Sequence, residues 1–143
     1  GSAIIGSAFD FCTSVIDVKD TILSRIVTTD GSRINIDPLW LKSKYQFSLK
    51  DENCKGVSNR NKLEKQIICG YTCMDHDRIM TLEDKPELKI NDKIIYHKVG
   101  NYTVTMGGLF IRYFPNVYIK MVNGKIDKIR NRISVEDYYN IQS

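Results

Sequence analysis

The stretch "IIGSAFDFCTSVIDVKDTILSRIVTTDGSRINI", residues 4–36, is rich in β-branched and aromatic residues and carries no apolar stripe at the 3.6-residue spacing of a helix. It predicts strands. Phe9 and Phe11 alternate with Asp10 and Cys12, and Val27, Thr28 and Thr29 run into Asp30-Gly31, a dipeptide suited to a tight hairpin because Gly tolerates positive φ. Ser32 to Ile36 would be the return strand, closed by Pro38, which cannot donate to a ladder.

The same reading extends along the chain. "DENCKGVSNRN", residues 51–61, is polar and without periodicity, and predicts an exposed loop. "LKINDKIIYHKVGNYTVTMGGLF", residues 88–110, predicts a turn at Asn91-Asp92, a strand over Lys93–Lys98, a Gly break and a second strand over Tyr102–Met106. In "NVYIKMVNGKIDKIRNR", residues 116–132, Asn123-Gly124 sits between two alternating runs and predicts a hairpin. Only the tail predicts a helix: Ser134 with Asp137 three residues on resembles a capping box, and Val135, Tyr138, Tyr139 and Ile141 offer one apolar face. The expected fold is mostly β, a β-sandwich or Greek-key barrel-like domain of about eight short strands with a short C-terminal helix.

Composition sets the frame. The 143 residues suffice for one domain, and 42% apolar with 27% charged residues is ordinary for a globular protein. The net charge of +4 comes from lysines and arginines scattered among acids, which argues against a nucleic-acid face built on a basic run. No segment approaches the roughly 18 to 20 apolar residues of a membrane span, and the start lacks a signal-peptide pattern. Gly1 and Ser2 read as a cloning scar, leaving residues 3–143 as the domain. The 4 cysteines show no framework spacing, which suits reduced thiols and a cytoplasmic setting.

The densest chemistry lies in "CGYTCMDHDRIM", residues 69–80. Cys69, Cys73 and His76 offer three soft ligands, but no second pair stands nearby to complete a zinc site, and Cys69 at a strand end reads as a small buried hydrophobe. No metal is expected. Cys73 opens a polar turn, where a reactive thiol needs partial exposure. Asp75 and Asp77 suit a carboxylate pair or solvated acids capping backbone amides. His76 and His97 are candidate acid–base groups, since an imidazole as such titrates near neutral pH, with His97 expected in a surface or half-buried structural role. Tyr96, Tyr102, Phe110, Tyr113 and Phe114 supply aromatic surface for core packing or for stacking on single-stranded bases.

Taken in order, these motifs resemble the C-terminal domain of the fold-type III, pyridoxal-phosphate-dependent amino-acid decarboxylases, the group that includes diaminopimelate, ornithine and arginine decarboxylases. In that family a Gly-Pro-x-Cys segment is followed by an Asp four positions after the Cys; "GYTCMDHDRI" supplies Gly70, Cys73 and Asp77. A Gly-Asp turn before a strand and a later Gly-Ala-Tyr-Thr are matched by Asp92, Gly100, Tyr102 and Thr103, with Phe110 eight residues beyond the tyrosine. The closing Ile-Arg-x-Arg-x-Ser-x-Glu-Asp pattern stands as "IRNRISVEDYY", residues 129–139.

The resemblance implies a homodimer in which Cys73 reaches across the interface and delivers a proton to the substrate carbon after carbon dioxide leaves. It implies that Tyr102 touches pyridoxal 5'-phosphate or substrate, that Phe110 walls the pocket, and that Asp77 orients the Cys loop. Met74 stands where the family has an acid that binds the distal part of an amino-acid substrate, so Asp75 would take over that contact; Tyr71 replaces the usual proline. The cofactor-binding lysine belongs to an N-terminal barrel that needs about 250 residues, so the implied partners are that barrel and a second copy. These 143 residues alone are expected to lack activity. The rival expectations are a single-stranded nucleic-acid-binding β-barrel and a purely structural dimerisation domain.

Overall fold

The computed structural model describes residues 2–103 and 105–143. They form two compact units, Gly1–Gly107 and Gly108–Ser143. Gly1 of the expected scar lies outside the described residues; Ser2 opens a short helix, α1, Ser2–Ile5.

Six strands of the first unit make one sheet: β1 (Phe11–Asp20), β2 (Arg25–Thr29), β3 (Gln46–Lys50), β4 (Lys62–Cys69), β5 (Arg78–Pro86) and β6 (Lys93–His97). Their order is β3-β6-β1-β2-β4-β5, and the sheet curls into a half-barrel. All neighbours run antiparallel except β2 and β4, which are parallel with Ile26 beside Ile67 and Val27 beside Ile68. Alternation explains which face is inside. Thr13 and Val15 of β1, Val27 and Thr29 of β2, Gln66 and Ile68 of β4, and Ile94 and Tyr96 of β6 are all buried, each pair two residues apart. Ile36, Ile79, Leu82, Leu88 and Val99 complete the core. Tyr96 is fully buried and meets the Tyr45 ring edge to face at 5.7 Å. Burial pushes the Tyr45 phenol up to about 12.

Buried polar side chains fasten the connections to this sheet. Gln66 donates to Pro86 O at 3.0 Å and accepts from Leu88 N at 2.9 Å, tying the exit of β5 to β4. Asp92, 3% exposed in its side chain, pairs with Arg60 through both carboxylate oxygens, one at 3.0 Å, and accepts Lys89 N at 2.7 Å. Arg60 also donates to Glu87 O at 3.1 Å. The 51–61 loop is thereby pinned at its far end, while Asp51 Oδ1 gathers the amides of Asn53 and Lys55 at its start.

Two expected strands are corrected. The chain does not turn back at Asp30-Gly31: β1 and β2 form the hairpin, joined at Thr21–Ser24, where Thr21 N donates to Ser24 O at 2.9 Å. Ser32 instead caps a 3-10 turn over Arg33–Asn35, because its hydroxyl accepts Ile34 N and Asn35 returns a bond to Ser32 N. Tyr102–Met106 is also not a strand. Tyr102 takes a left-handed φ of 61°, and Met106 N donates to Tyr102 O at 2.7 Å; Val104 lies outside the described residues.

The second unit holds the expected hairpin, β7 (Val117–Lys120) and β8 (Ile126–Arg130), and the helix α2, Val135–Gln142. Gly124 takes φ 84° at the turn, and Met121 N donates to Lys125 O at 2.8 Å. Ser134 and Asp137 form the capping box at the start of α2. Tyr113 packs on Tyr138 at 5.4 Å between centroids. Among the described residues, no helix is long and apolar enough to cross a membrane.

Arg60→Met leaves the Asp92 carboxylate buried without its cation. Chemical denaturation should register a loss of about 3 kcal/mol, above that for Arg25→Met, whose short-range partner Asp20 is 69% exposed in its side chain and whose second partner, Glu87, stands off at 3.5 Å.

Candidate active site: the loop that carries Cys73

Residues 70–77 connect β4 to β5, which pair antiparallel with a register shift between Ile68 and Cys69. The loop closes on itself through Gly70 N to Asp77 O at 2.8 Å and Asp77 N to Met74 O at 2.9 Å. Its centre is the Asp77 carboxylate, 3% exposed. One oxygen accepts the Ser32 hydroxyl at 2.9 Å and Arg33 N at 2.8 Å. The other accepts the Thr72 hydroxyl at 2.6 Å and Thr72 N at 3.1 Å. Four donors satisfy a charge that could not otherwise stand burial. Gly70 is required beside it, since a Cβ there would overlap the carboxylate of Asp77.

This arrangement leaves Cys73 exposed with a free thiol. Met74 is half-buried, and Asp75 and His76 are exposed. Cys69 differs: burial pushes its thiol up despite the nearby Arg78. Among the described residues, no three His, Cys, Asp or Glu side chains converge as a metal site.

Next to the loop runs the segment of residues 32–42, which the sequence offered only as a return strand closed by Pro38 and not as part of a site. The Trp40 ring meets His76 edge to face at 5.5 Å, and the Arg33 guanidinium lies over Trp40 at 4.9 Å. Arg33 is itself held by Asp37 at 3.2 Å and by Lys42 O at 2.8 Å. Asp37 also accepts the amides of Leu41 and Lys42. Farther along, a cavity of about 90 Å³ is lined by Asp37, Pro38, Leu39, Leu41, Lys42, Asn101 and Tyr102. Tyr102, 49% exposed, therefore borders the same segment that supports the Cys73 loop. Phe110 is 48% exposed and belongs to the second unit. Of the aromatics read as a base-stacking surface, Tyr96 is sealed in the core.

No family model matches the sequence. Solved structures do. A diaminopimelate decarboxylase superposes with TM-score 0.84 at 20% identity over 99% of this chain and 35% of its own. The diaminopimelate decarboxylase from Helicobacter pylori complexed with L-lysine gives 0.76 at 24% identity, covering 99% of this chain and 34% of that one. The carboxynorspermidine decarboxylase from Campylobacter jejuni complexed with norspermidine gives 0.76 at 22% identity, covering 100% and 40%. The chain thus spans between a third and two fifths of these three proteins. Its fold is that of one domain of these decarboxylases, consistent with the C-terminal domain to which the ordered motifs point.

Proposed function

We propose that this chain is the β domain of a pyridoxal-phosphate-dependent amino-acid decarboxylase and that Cys73 is its proton donor at a homodimer interface. The observation that carries the reading is an exposed thiol on a loop that a buried carboxylate fixes from four directions. A proton donor must be placed before it is tuned, and a loop tied through Asp77 meets that need.

The donor set suits the cofactor. Tyr102 offers an exposed phenol from a left-handed backbone, beside Asn101, whose buried Oδ1 has no hydrogen-bond partner. Tyr102 would contact the cofactor's phosphate or the substrate, Phe110 would line the pocket, and a barrel domain of the same protein would hold the cofactor. When bound, pyridoxal phosphate supplies the electron sink for loss of carbon dioxide. The role of this chain is then to bring the Cys73 S–H to the carbon that has lost its carboxylate, with the proton passing from sulfur to carbon and the thiolate recovering one from solvent. Met74 cannot neutralise an ammonium group, so Asp75, exposed beside it, is the group to meet a distal positive charge on the amino acid.

In the full-length enzyme, Cys73→Ala should slow turnover on the order of 10²-fold or divert the product, with the cofactor's absorbance unchanged. Unaltered kinetics would remove Cys73 from the reaction. Asp77→Asn places an amide donor against donors, and should lower stability by about 2 kcal/mol while speeding hydrogen exchange at the Thr72 and Arg33 amides. Exchange at wild-type rates there would detach Asp77 from the loop's geometry.

A further inference from the structure

The outer face of the main sheet carries a second group of polar side chains, distinct from the Cys73 loop. β3 and β6 pair with Gln46 opposite His97. Ser48, two residues along β3, therefore stands on the same face as His97, one diagonal step away. Ser48 Oγ lies 2.7 Å from His97 Nε2, and His97 Nδ1 lies 2.8 Å from Asp10 Oδ2. The second oxygen of Asp10 accepts Lys98 N at 3.0 Å. That bond is possible because Lys98 turns into a left-handed φ of 56° and swings its amide back toward the start of β1.

The protons in this line follow from the chemistry of the ends. Partial burial works against ionisation of Asp10, but the bonds from His97 and Lys98 outweigh it and hold the carboxyl below its usual range. An ionised carboxylate only accepts, so Nδ1 of His97 carries the proton. In the neutral ring Nε2 is then an acceptor, and the hydrogen it receives is that of the Ser48 hydroxyl. Solvent reaches the group, since the His97 and Asp10 side chains are 32% and 52% exposed and Ser48 is half-buried.

We propose that Ser48, His97 and Asp10 form a nucleophile relay that accepts an acyl group from activated acyl donors such as aryl esters. Ser48 Oγ attacks the ester carbonyl and its proton passes to His97 Nε2. The C–O bond to the leaving group breaks, releasing an aryl oxide that departs unprotonated, and His97 returns its proton to water. Water hydrolyses the resulting acyl-serine ester, giving the carboxylic acid and free Ser48. His97 is the general base. Asp10 is a positioning residue, fixing the tautomer and the ring plane. No residue of the relay belongs to the Cys73 loop, so its fate is independent of the decarboxylase reading.

The test is incubation of the 143-residue chain with p-nitrophenyl acetate, following nitrophenolate release and mapping the acetylated residue by mass spectrometry. The expected result is a stoichiometric burst with the acetyl group on Ser48. The burst should be absent in Ser48→Ala and slower on the order of 10²-fold in His97→Gln, both with the wild-type circular dichroism. Acetyl groups on Lys42 and Lys98 with Ser48 unmodified would overturn the relay, as would a burst that survives His97→Gln. A measurement on the unmutated chain stands beside these: the imidazole nitrogen spectrum should place the proton of neutral His97 on Nδ1, and in Asp10→Asn that preference should weaken. A wild-type ring protonated on Nε2 refutes the proposal without any variant.

Discussion

A carboxylate sealed inside a protein is tolerable only when donors surround it, and Asp77 imposes that condition on two separate stretches of chain. Ser32 and Arg33 must come to it from the end of β2, and Thr72 must fold back from within its own loop. Gly70 must lack a side chain for the carboxylate to fit. Each requirement fixes backbone rather than merely adding a contact. The turn bearing Cys73 is consequently joined to residues 32–42, and through Trp40 and Arg33 that segment braces His76 on the same turn. Asp92 and Gln66 act in the same manner elsewhere: their partners are largely groups of the connections, so the inside of the sheet orders the loops outside it.

The two faces of the half-barrel divide the labour. The inner face is apolar, with Phe11 and Phe47 flanking Tyr96 among the aliphatic side chains, apart from a few satisfied polar groups such as Gln66. The outer face and the strand ends hold the groups proposed for chemistry: Cys73 after β4, Asp10 just before β1 and His97 at the end of β6. A sheet serves this purpose because its register fixes side chains at strand ends as firmly as those in its centre. In the second unit, order has a different origin. Its hairpin and helix bury no hydrophobic side chain, leaving Tyr118, Val122, Ile129 and Ile141 exposed, so the Gly124 turn and the Ser134–Asp137 cap supply the specification that a core would otherwise give.

What the sequence disclosed, and what it hid, follows the range of the forces involved. Asn123-Gly124, the Ser134 cap and the 51–61 loop are set by residues a few positions apart, and each was legible. Asp30-Gly31 misled because β2 turns back on β1 before it, and its other partner is the parallel strand β4, some forty residues on, which no local turn signal encodes. Gly31 is small for another reason: a Cβ there would come within 2.6 Å of Phe11 and 2.7 Å of Thr13. The "TVT" after Tyr102 has strand composition, yet the backbone at Tyr102 leaves the β region. Cys73 could be singled out because its loop is short and its motif ordered. The donors to Asp77, and the line from Ser48 through His97 to Asp10, join positions scattered across the chain, and only the folded sheet makes them neighbours.

The loop also sets apart two thiols four residues from each other, only one of which meets the demands of the proposed proton donor. Cys69 occupies the last position of β4, pairs with Arg78 just after a register shift, and is half-buried, and burial pushes its thiol up. Cys73 lies past Gly70, where the chain has left the ladder, and the bonds to Asp77 stop the loop on either side of it without enclosing its sulfur. Fixed backbone and open side chain are opposing demands, since the contacts that immobilise a residue ordinarily cover it. Placing the anchoring carboxylate at Asp77, four residues downstream and beneath the turn, satisfies both demands at once.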